Sequence, residues 1–336
     1  MRISELFRKN ILETGVGGVV NKLRIKKRRN SLFFGDIFIG YVRECEESGY
    51  SKEMMDIGRK WMFLYFGQLV PGTIKKLPLP ILSRIMKRVW INVGLMEDFN
   101  IKMKNGMIEI ETRKEAITGT IGRNQFSVGL FMGICNSLFD SGIDVVKVSQ
   151  TRNLNRYVFR KDRNRKFRIR SKGKKTYDRL NCLKPVKGFT LHEALERKIF
   201  QLRGNRIYFR GGSVYTVEST LFHLVGEKKI LADRIPEISY NFFRRVIDSK
   251  TTVTRKLGLI KILLQTMGWG VVKILERKKK IIFEIRNPPF GLQMERDNWI
   301  FLVNAVLGYL WILDKGFKLE SAKHQGKLLE VVYSKP

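Results

Sequence analysis

The most apolar stretches of the chain predict two helices that occupy equivalent places in its two halves. They run over 126–139 and 299–313, and a strand-like alternation of hydrophobic and polar residues follows each of them. Gly142 and Gly316 lie just beyond the two stretches, and each comes two positions after an aspartate, Asp140 or Asp314. The sequence separation of Gly142 and Gly316 therefore gives the offset between equivalent positions in the two halves. Both glycines suit the left-handed conformation that closes a helix, so we expect each helix to end there.

Other elements recur around these helices in a common order. A helical stretch, a strand, the apolar helix and a polar hairpin follow one another over about 33–66, 104–111, 126–139 and 147–159, and again over about 216–247, 278–285, 299–313 and 319–333. This order is typical of α+β domains with an antiparallel sheet. The pattern therefore predicts an α+β fold of two tandem copies, each with a helical segment, an antiparallel sheet and a long apolar helix.

Domain boundaries follow from this repeat. They predict a basic N-terminal arm at 1–30, a first α+β repeat at 31–162, a basic connector with a short helix at 163–204, and a second α+β repeat at 205–336. Within the connector, Thr190 and Glu193 form a capping-box pattern, which predicts that the short helix begins there.

The order of elements resembles the 4-vinyl-reductase-type domain, a small ligand-binding module related in fold to TRAPP trafficking subunits and haem nitric-oxide-binding domains. The helix–Gly–strand units at Gln125–Val148 and Trp299–Leu319, with their terminal strand pairs, carry the resemblance. Many members of that family have cysteines in the terminal hairpin and before the long helix, where they suit a metal or cofactor. The corresponding hairpin residues here are Gln150, Thr151, Asn153, Lys323, His324 and Gln325. We therefore expect the fold without a cofactor or metal.

Charge points to the class of partner. The 336 residues include 65 Lys and Arg but only 31 Asp and Glu, which gives a formal net charge of +34. Self-repulsion of this size destabilises a compact protein unless an anionic partner neutralises it. Hydrophobic residues make up 43% of the chain, enough for folded cores, so we do not expect a wholly disordered protein. These features predict a folded protein that binds nucleic acid.

Three groups of cations are the predicted nucleic-acid-binding residues. In the arm they are Lys22, Arg24, Lys26, Lys27, Arg28 and Arg29. At the end of the first repeat and in the connector they are Arg160, Lys161, Arg163, Arg165, Lys166, Arg168, Arg170, Lys172, Lys174 and Lys175. In the second repeat they are Arg244, Arg245, Lys278, Lys279 and Lys280. Around Phe167 and Ile169 the cations alternate with apolar residues, which in an extended chain puts the two kinds on opposite faces.

Aromatic residues precede the cations Arg244 and Arg245. Tyr240, Phe242 and Phe243 come directly before them, and rings beside cations can stack on unpaired bases. Helical spacing also explains Phe242 and Phe243 as core residues, which is the interpretation that we favour.

Motifs for catalysis, metal binding and base reading are missing from the sequence. The dispersed Cys45, Cys135 and Cys182 exclude a zinc finger and a disulfide framework. The glycine-rich stretch 15–18 lacks the Lys-Ser/Thr ending of a phosphate-binding loop, and no zinc-protease or serine-hydrolase motif is present. We expect a non-enzymatic protein that recognises the backbone and shape of RNA.

We therefore predict an RNA-binding, ribosome-associated protein that acts as an assembly, hibernation or subunit-association factor. Ribosomal RNA is preferred over DNA as the partner, while contacts with ribosomal proteins and a homodimer stay open. The abundance of Lys, Arg and Ile with few cysteines indicates a thermophilic, archaeal source. Since no signal peptide or membrane-spanning stretch is recognisable, we expect a cytoplasmic protein.

Three alternatives use other features of the same sequence. The charge equally suits a DNA-coating or transcription-associated protein. A small-molecule sensor would have an internal pocket lined by Phe131, Phe139, Tyr309 and Trp311. A peripheral membrane protein would insert Ile3, Leu6 and Phe7 beside the neighbouring cations.

Overall fold

The structure is a computed structural model that describes residues 12–15, 18–21, 28–70, 72–92, 94–162, 164–169, 190–204, 206–289 and 298–336. The chain divides into two compact units. Unit 1 is Val42–Gly173, and unit 2 combines Arg2–Tyr41 with Lys174–Pro336. These units differ from the predicted repeats at 31–162 and 205–336, because a strand near the N-terminus pairs with a strand of the second half.

The described part of the chain is mixed α+β, with eleven helices and three antiparallel sheets, as the sequence pattern predicts. The first elements are β1 (Leu12–Gly15), β2 (Gly18–Asn21), β3 (Arg28–Phe34) and α1 (Gly35–Glu47). The next are α2 (Ser51–Leu69), α3 (Gly72–Lys75), α4 (Leu79–Asn92), β4 (Asp98–Lys104), β5 (Met107–Arg113), α5 (Ala116–Ile121), α6 (Gln125–Phe139), β6 (Gly142–Gln150) and β7 (Leu154–Asp162). The last are α7 (Leu191–Glu196), β8 (Gln201–Arg203), β9 (Arg206–Phe209), β10 (Gly212–Val217), α8 (Thr220–Lys228), α9 (Ile235–Val246), α10 (Val253–Thr266), β11 (Val271–Arg277), β12 (Lys280–Arg286), α11 (Ile300–Leu310), β13 (Lys318–Gln325) and β14 (Leu328–Ser334).

In unit 1, α6 packs against both α2 and a four-stranded sheet of order β4-β5-β7-β6. Strand alternation puts Ile110 and Tyr157 on the inner face of the sheet, and the Tyr157 ring lies 4.6 Å from the Phe131 ring of α6. Gly129 permits a close approach of α6 to α2, because a Cβ there would lie 1.9 Å from the carbonyl oxygen of Met55. The core of unit 1 therefore surrounds α6.

Unit 2 contains a six-stranded sheet of order β1-β2-β3-β10-β9-β8 and a four-stranded sheet of order β11-β12-β14-β13. β3 pairs with β10 in the middle of the six-stranded sheet, and the Trp269 indole donates a 2.8 Å hydrogen bond to the carbonyl oxygen of Leu32. Helix α11 packs on α9, with the Tyr309 ring 4.8 Å from the Phe243 ring.

The two four-stranded sheets share their strand order and an irregularity. The pairing of β6 with β7 shifts register between Val145 and Lys147, and that of β13 with β14 shifts between Leu319 and Ser321. The step from Val145 to Leu319 equals the step from Gly142 to Gly316, which is the offset of the sequence pattern. Such bulges re-aim the strand and are retained as specific features of a fold.

Both predicted polar hairpins are confirmed as β6–β7 and β13–β14, and the capping box of Thr190 and Glu193 begins α7. The strands predicted at 104–111 and 278–285 are confirmed in most of their residues as β5 and β12, but their first residues form the turns of tight hairpins with β4 and β11. In the first, Asn105 and Gly106 form the turn with φ of 50° and 73°. Asn-Gly is the pair that two-residue hairpin turns favour, so the sequence held a signal for this hairpin.

The prediction of a long apolar helix is wrong for the described residues. Helices α6 and α11 are apolar but have 15 and 11 residues, and the longest described helix is the amphipathic α2 with 19 residues. α11 is short because the chain turns over 311–313, inside the apolar stretch.

The prediction that Gly142 and Gly316 close the two helices in a left-handed conformation is also wrong, because neither glycine has a positive φ. Asp140 takes the left-handed conformation after α6, with φ of 46°. Gly142 instead belongs to β6, where a Cβ would lie 2.9 Å from the carbonyl oxygen of Arg165.

Candidate nucleic-acid interface

The outer face of the unit 1 sheet, on the side opposite α6, is rich in exposed cations. Strand alternation and register place six of them there: Lys102, Lys104, Arg113, Lys147, Arg156 and Arg160. The carboxylates of this face are Asp98, Glu109, Glu111, Asp144 and Asp162. Same-face residues lie about 7 Å apart along a strand, and neighbouring strands about 4.8 Å apart. We call this surface the basic sheet face.

Glu109 pairs with two of these cations and offsets one of their two positive charges. Its carboxylate lies 3.1 Å from Arg156 and 3.4 Å from Lys102, and the residue is only 8% exposed. Burial alone would raise the pKa of Glu109, but hydrogen bonds from Arg156 and then Lys102 outweigh it and lower that pKa. The ionised carboxylate therefore holds both cations on the face at neutral pH.

Helix α4 extends the cationic surface along β4. A groove of about 480 Å³ lies between them, lined by Arg84, Lys87 and Arg88 of α4 and by Asn100 and Glu111 of the basic sheet face, among others. Lys87 is paired with Asp98 at 2.7 Å, whereas Arg84 and Arg88 have no ion-pair partner among the described residues. Guanidinium groups in such a groove suit bidentate contacts with phosphate oxygens.

The predicted cations near the end of β7 differ in availability. Arg160 lies on the basic sheet face, and Arg168 is exposed in the segment that follows. Lys161 is half-buried, with its ammonium 3.8 Å from the centre of the Phe139 ring. Two others form ion pairs: Arg165 with Asp144 and Asp162, and Lys166 with Asp140.

The predicted alternation around Phe167 and Ile169 is confirmed in burial although no strand forms there. Both residues are half-buried while Lys166 and Arg168 are exposed. The Phe167 ring lies 4.0 Å from the Arg59 guanidinium, which anchors this side of the segment to α2.

In unit 2 the predicted cations occupy two separate elements. Arg244 and Arg245 are exposed in the last turn of α9, and Phe242 and Phe243 before them are buried core residues, as expected. In the β11–β12 hairpin the predicted Lys278, Lys279 and Lys280 are exposed, and Lys280 pairs with Glu320 at 2.7 Å.

The remaining predicted cations lie in β3 or outside the described residues. Arg28 and Arg29 belong to β3, where their backbones pair with β2. Outside the described residues lie Lys22, Arg24, Lys26, Lys27, Arg163, Arg170, Lys172, Lys174 and Lys175.

Most of the surface described here lies outside the predicted runs of charge. Of the cations on the basic sheet face, only Arg160 was among the predicted residues. A strand alternates its two faces, so Lys102 and Lys104 are separated by an apolar residue and never form a run. The signal that identifies them is two-residue spacing within a strand, combined with the strand register.

A buried carboxyl group lies within unit 1, on the other side of the sheet. Glu115 is 5% exposed and accepts hydrogen bonds from Thr112, from Thr118 at 2.7 Å and from Tyr157 at 3.0 Å. Burial raises the pKa of Glu115, and the hydrogen bonds from Thr112 and Thr118 oppose this only in part. This network ties α5 to β5 and β7.

Glu115→Gln is therefore expected to change how the stability of the protein depends on pH. A carboxyl whose pKa is raised on folding contributes stability below its unfolded pKa, and that contribution is lost as the pH rises through the folded pKa. Glutamine stays neutral, so the free energy of unfolding of the variant, relative to the parent protein, should increase between about pH 5 and about pH 8. Urea unfolding of both proteins across this range measures it. A difference independent of pH would contradict the assignment.

Two of the four residues named for a ligand pocket are core residues, and Phe139 and Trp311 are half-buried. Phe131 and Tyr309 are buried against Tyr157 and Phe243. No three His, Cys, Asp or Glu side chains come together as metal ligands would within the described residues. In the same part of the chain, no helix combines the length and hydrophobicity needed to cross a membrane.

Comparison with known proteins adds no family to this picture. No protein-family model matches the chain, and no curated protein matches it significantly.

Proposed function

We propose that this chain is a non-enzymatic protein that binds structured RNA through the basic sheet face and the adjoining cations of α4. One observation carries the proposal: cations from four strands and one helix converge on one exposed surface of unit 1. An array of this kind contacts successive phosphates without reading bases.

The side chains between the cations favour backbone contact over base stacking. Lys104 and Arg160 flank Met107 in one row of the sheet, and Lys102 and Lys147 flank Glu109 and Val158 in the next. No aromatic residue stands in either row, and stacking on bases needs aromatic rings. Recognition by charge and shape is how double-helical RNA is commonly bound.

The ribosome is the partner that we propose within this class, in a cytoplasmic role in assembly, hibernation or subunit association. Ribosomal RNA is the most abundant structured RNA in a cell, and a net charge of +34 suits a densely anionic surface. Duplex DNA offers the same phosphates. A competition experiment between ribosomal RNA and duplex DNA separates the two partners.

We also infer that the two units derive from tandem copies of one domain of the 4-vinyl-reductase type. The shared strand order and the two bulges at equivalent places, after Val145 and after Leu319, support the duplication. The resemblance to that family rests on the same order of elements. The outer face of the unit 2 sheet also carries exposed cations: Lys104 and Arg113 of unit 1 correspond to Arg277 and Arg286 of unit 2, since each is the last residue of its strand.

The Lys104→Gln/Arg160→Gln variant tests the RNA proposal. Neither side chain has an ion-pair partner among the described residues, so their removal leaves no carboxylate uncompensated. If both contact phosphates, the slope of log affinity against log salt concentration should fall by about 1.4 to 1.8. Fluorescence anisotropy with a ribosomal RNA fragment at several salt concentrations measures the slope.

Arg43→Gln/Lys52→Gln is the matched control, because it removes the same charge from exposed positions on α1 and α2 of unit 1. It should leave the slope nearly unchanged. An equal loss of slope in both variants would mean that net charge, rather than the basic sheet face, drives binding.

A further inference from the structure

Unit 2 carries a second arrangement of cations, which differs from the basic sheet face because aromatic rings are part of it. Tyr240 on α9 is half-buried, and its ring centre lies 4.4 Å from the Lys315 ammonium and 5.5 Å from the Arg244 guanidinium. The Trp311 ring lies 6.4 Å from the Tyr240 ring at an angle of 66°. We call Tyr240, Arg244, Trp311 and Lys315 the aromatic–cation cluster.

Trp311 differs in exposure from the other tryptophans. Four of the five in the chain are between 1% and 7% exposed: Trp61, Trp90, Trp269 and Trp299. Trp311 is half-buried, and its indole N–H donates a 2.9 Å hydrogen bond to the carbonyl oxygen of Phe317. The indole is thus held in place while part of its surface faces solvent.

The carboxylate that precedes Lys315 in the sequence is paired with another cation. Asp314, next to Lys315, accepts a hydrogen bond from the Gly316 N–H at 2.8 Å and pairs with Lys335 at 3.0 Å. Those contacts lower the pKa of Asp314, the Gly316 hydrogen bond most strongly, and keep its carboxylate on Lys335. Lys315 and Arg244 therefore remain exposed and positively charged beside the rings.

We propose that the aromatic–cation cluster binds an unpaired nucleotide of RNA, with its base stacked on Trp311 and its phosphates on Arg244 and Lys315. The pairing of a fixed ring with neighbouring cations is the arrangement that single-stranded nucleic acid recognises. The inference rests on the proposed function and deepens it: unit 1 contacts paired RNA by charge, and unit 2 contacts an unpaired base.

Tryptophan fluorescence tests this binding directly, with a short oligouridylate as the probe. Since the other four tryptophans are buried, quenching on titration reports on Trp311. In anisotropy titrations with the same labelled oligonucleotide, Trp311→Leu should weaken binding on the order of ten-fold to a hundred-fold, because stacking is lost. Trp311→Phe loses the same hydrogen bond but keeps a ring, so it should bind much closer to the parent protein.

Arg203→Gln is the matched control for Arg244→Gln. Both guanidinium groups lie 5.5 Å from a tyrosine ring of unit 2, Tyr208 and Tyr240 respectively, but tryptophan accompanies only the second. Arg244→Gln should weaken binding of the oligonucleotide several-fold, and Arg203→Gln should leave it within two-fold.

The outcomes separate this inference from the proposed function. If ribosomal RNA binds but oligouridylate neither quenches fluorescence nor discriminates Trp311→Leu from Trp311→Phe, the cluster is not a nucleotide site and the function of the basic sheet face stands. If neither RNA binds the parent protein at low salt, both proposals are wrong.

Discussion

Raising the salt concentration from about 50 mM to about 200 mM is expected to release this protein from ribosomal RNA, with a loss of affinity of about three to five decades. A loss of that size corresponds to about six to ten phosphate contacts. The basic sheet face supplies six exposed cations, and Arg84 and Arg88 of α4 add two more. The surface is therefore large enough for the expected effect.

Sucrose-gradient sedimentation of a native lysate measures this release. At low salt the protein should migrate with a ribosomal subunit, and at raised salt it should stay at the top of the gradient. Ribonuclease treatment at low salt is the control, because it removes the RNA without changing the ionic strength. Migration with DNA, or a position at the top under every condition, would contradict ribosome binding.

The hydrophobic pattern predicted the α+β class and both polar hairpins because strands and helices have different periods. It does not predict β4 and β11, because the pattern places Asn105-Gly106 and Lys278-Lys279 inside single strands. Turns depend on two residues, whereas periodicity needs a longer window.

Hydrophobic periodicity does not predict the pairing of β3 with β10. The paired residues Ser31 and Val217 are far apart in the sequence, and no local pattern indicates that one strand joins the other. Six strands, β4 to β9, lie between the two in the sequence, so β3 has many possible partners. The division into units therefore required the structure.

The candidate site shows the same limit. Runs of charge are visible in the sequence, but Arg156 and Lys102 both contact Glu109 only because β5 lies between β4 and β7 in the sheet. The aromatic–cation cluster likewise unites Tyr240 with Trp311, which belong to different elements. Surfaces made by strand register and helix packing are properties of the fold rather than of any one segment.

Gly308→Ala is expected to destabilise unit 2 by on the order of 2 kcal/mol. A Cβ at this position of α11 would lie 2.1 Å from the carbonyl oxygen of Pro236 and 2.6 Å from the Ser239 Cβ, both on or near the start of α9. A backbone carbonyl cannot rotate away as a side chain can, so the helices must separate. That separation would also loosen the contact between Tyr309 and Phe243.

Gly258→Ala separates this steric cost from the general effect of alanine in a helix. Gly258 lies in α10 of the same unit, and nothing lies within 4 Å of the Cβ it would gain. Alanine is favoured over glycine in a helix by about 1 kcal/mol, so this variant should be more stable than the parent protein. In thermal unfolding followed by circular dichroism, Gly258→Ala should raise the Tm by about 2–4 °C and Gly308→Ala should lower it by about 4–8 °C. If the Tm rises in Gly258→Ala and falls in Gly308→Ala, the loss of stability comes from the contact between α9 and α11. If the Tm rises in both variants, the two helices separate without a cost in stability.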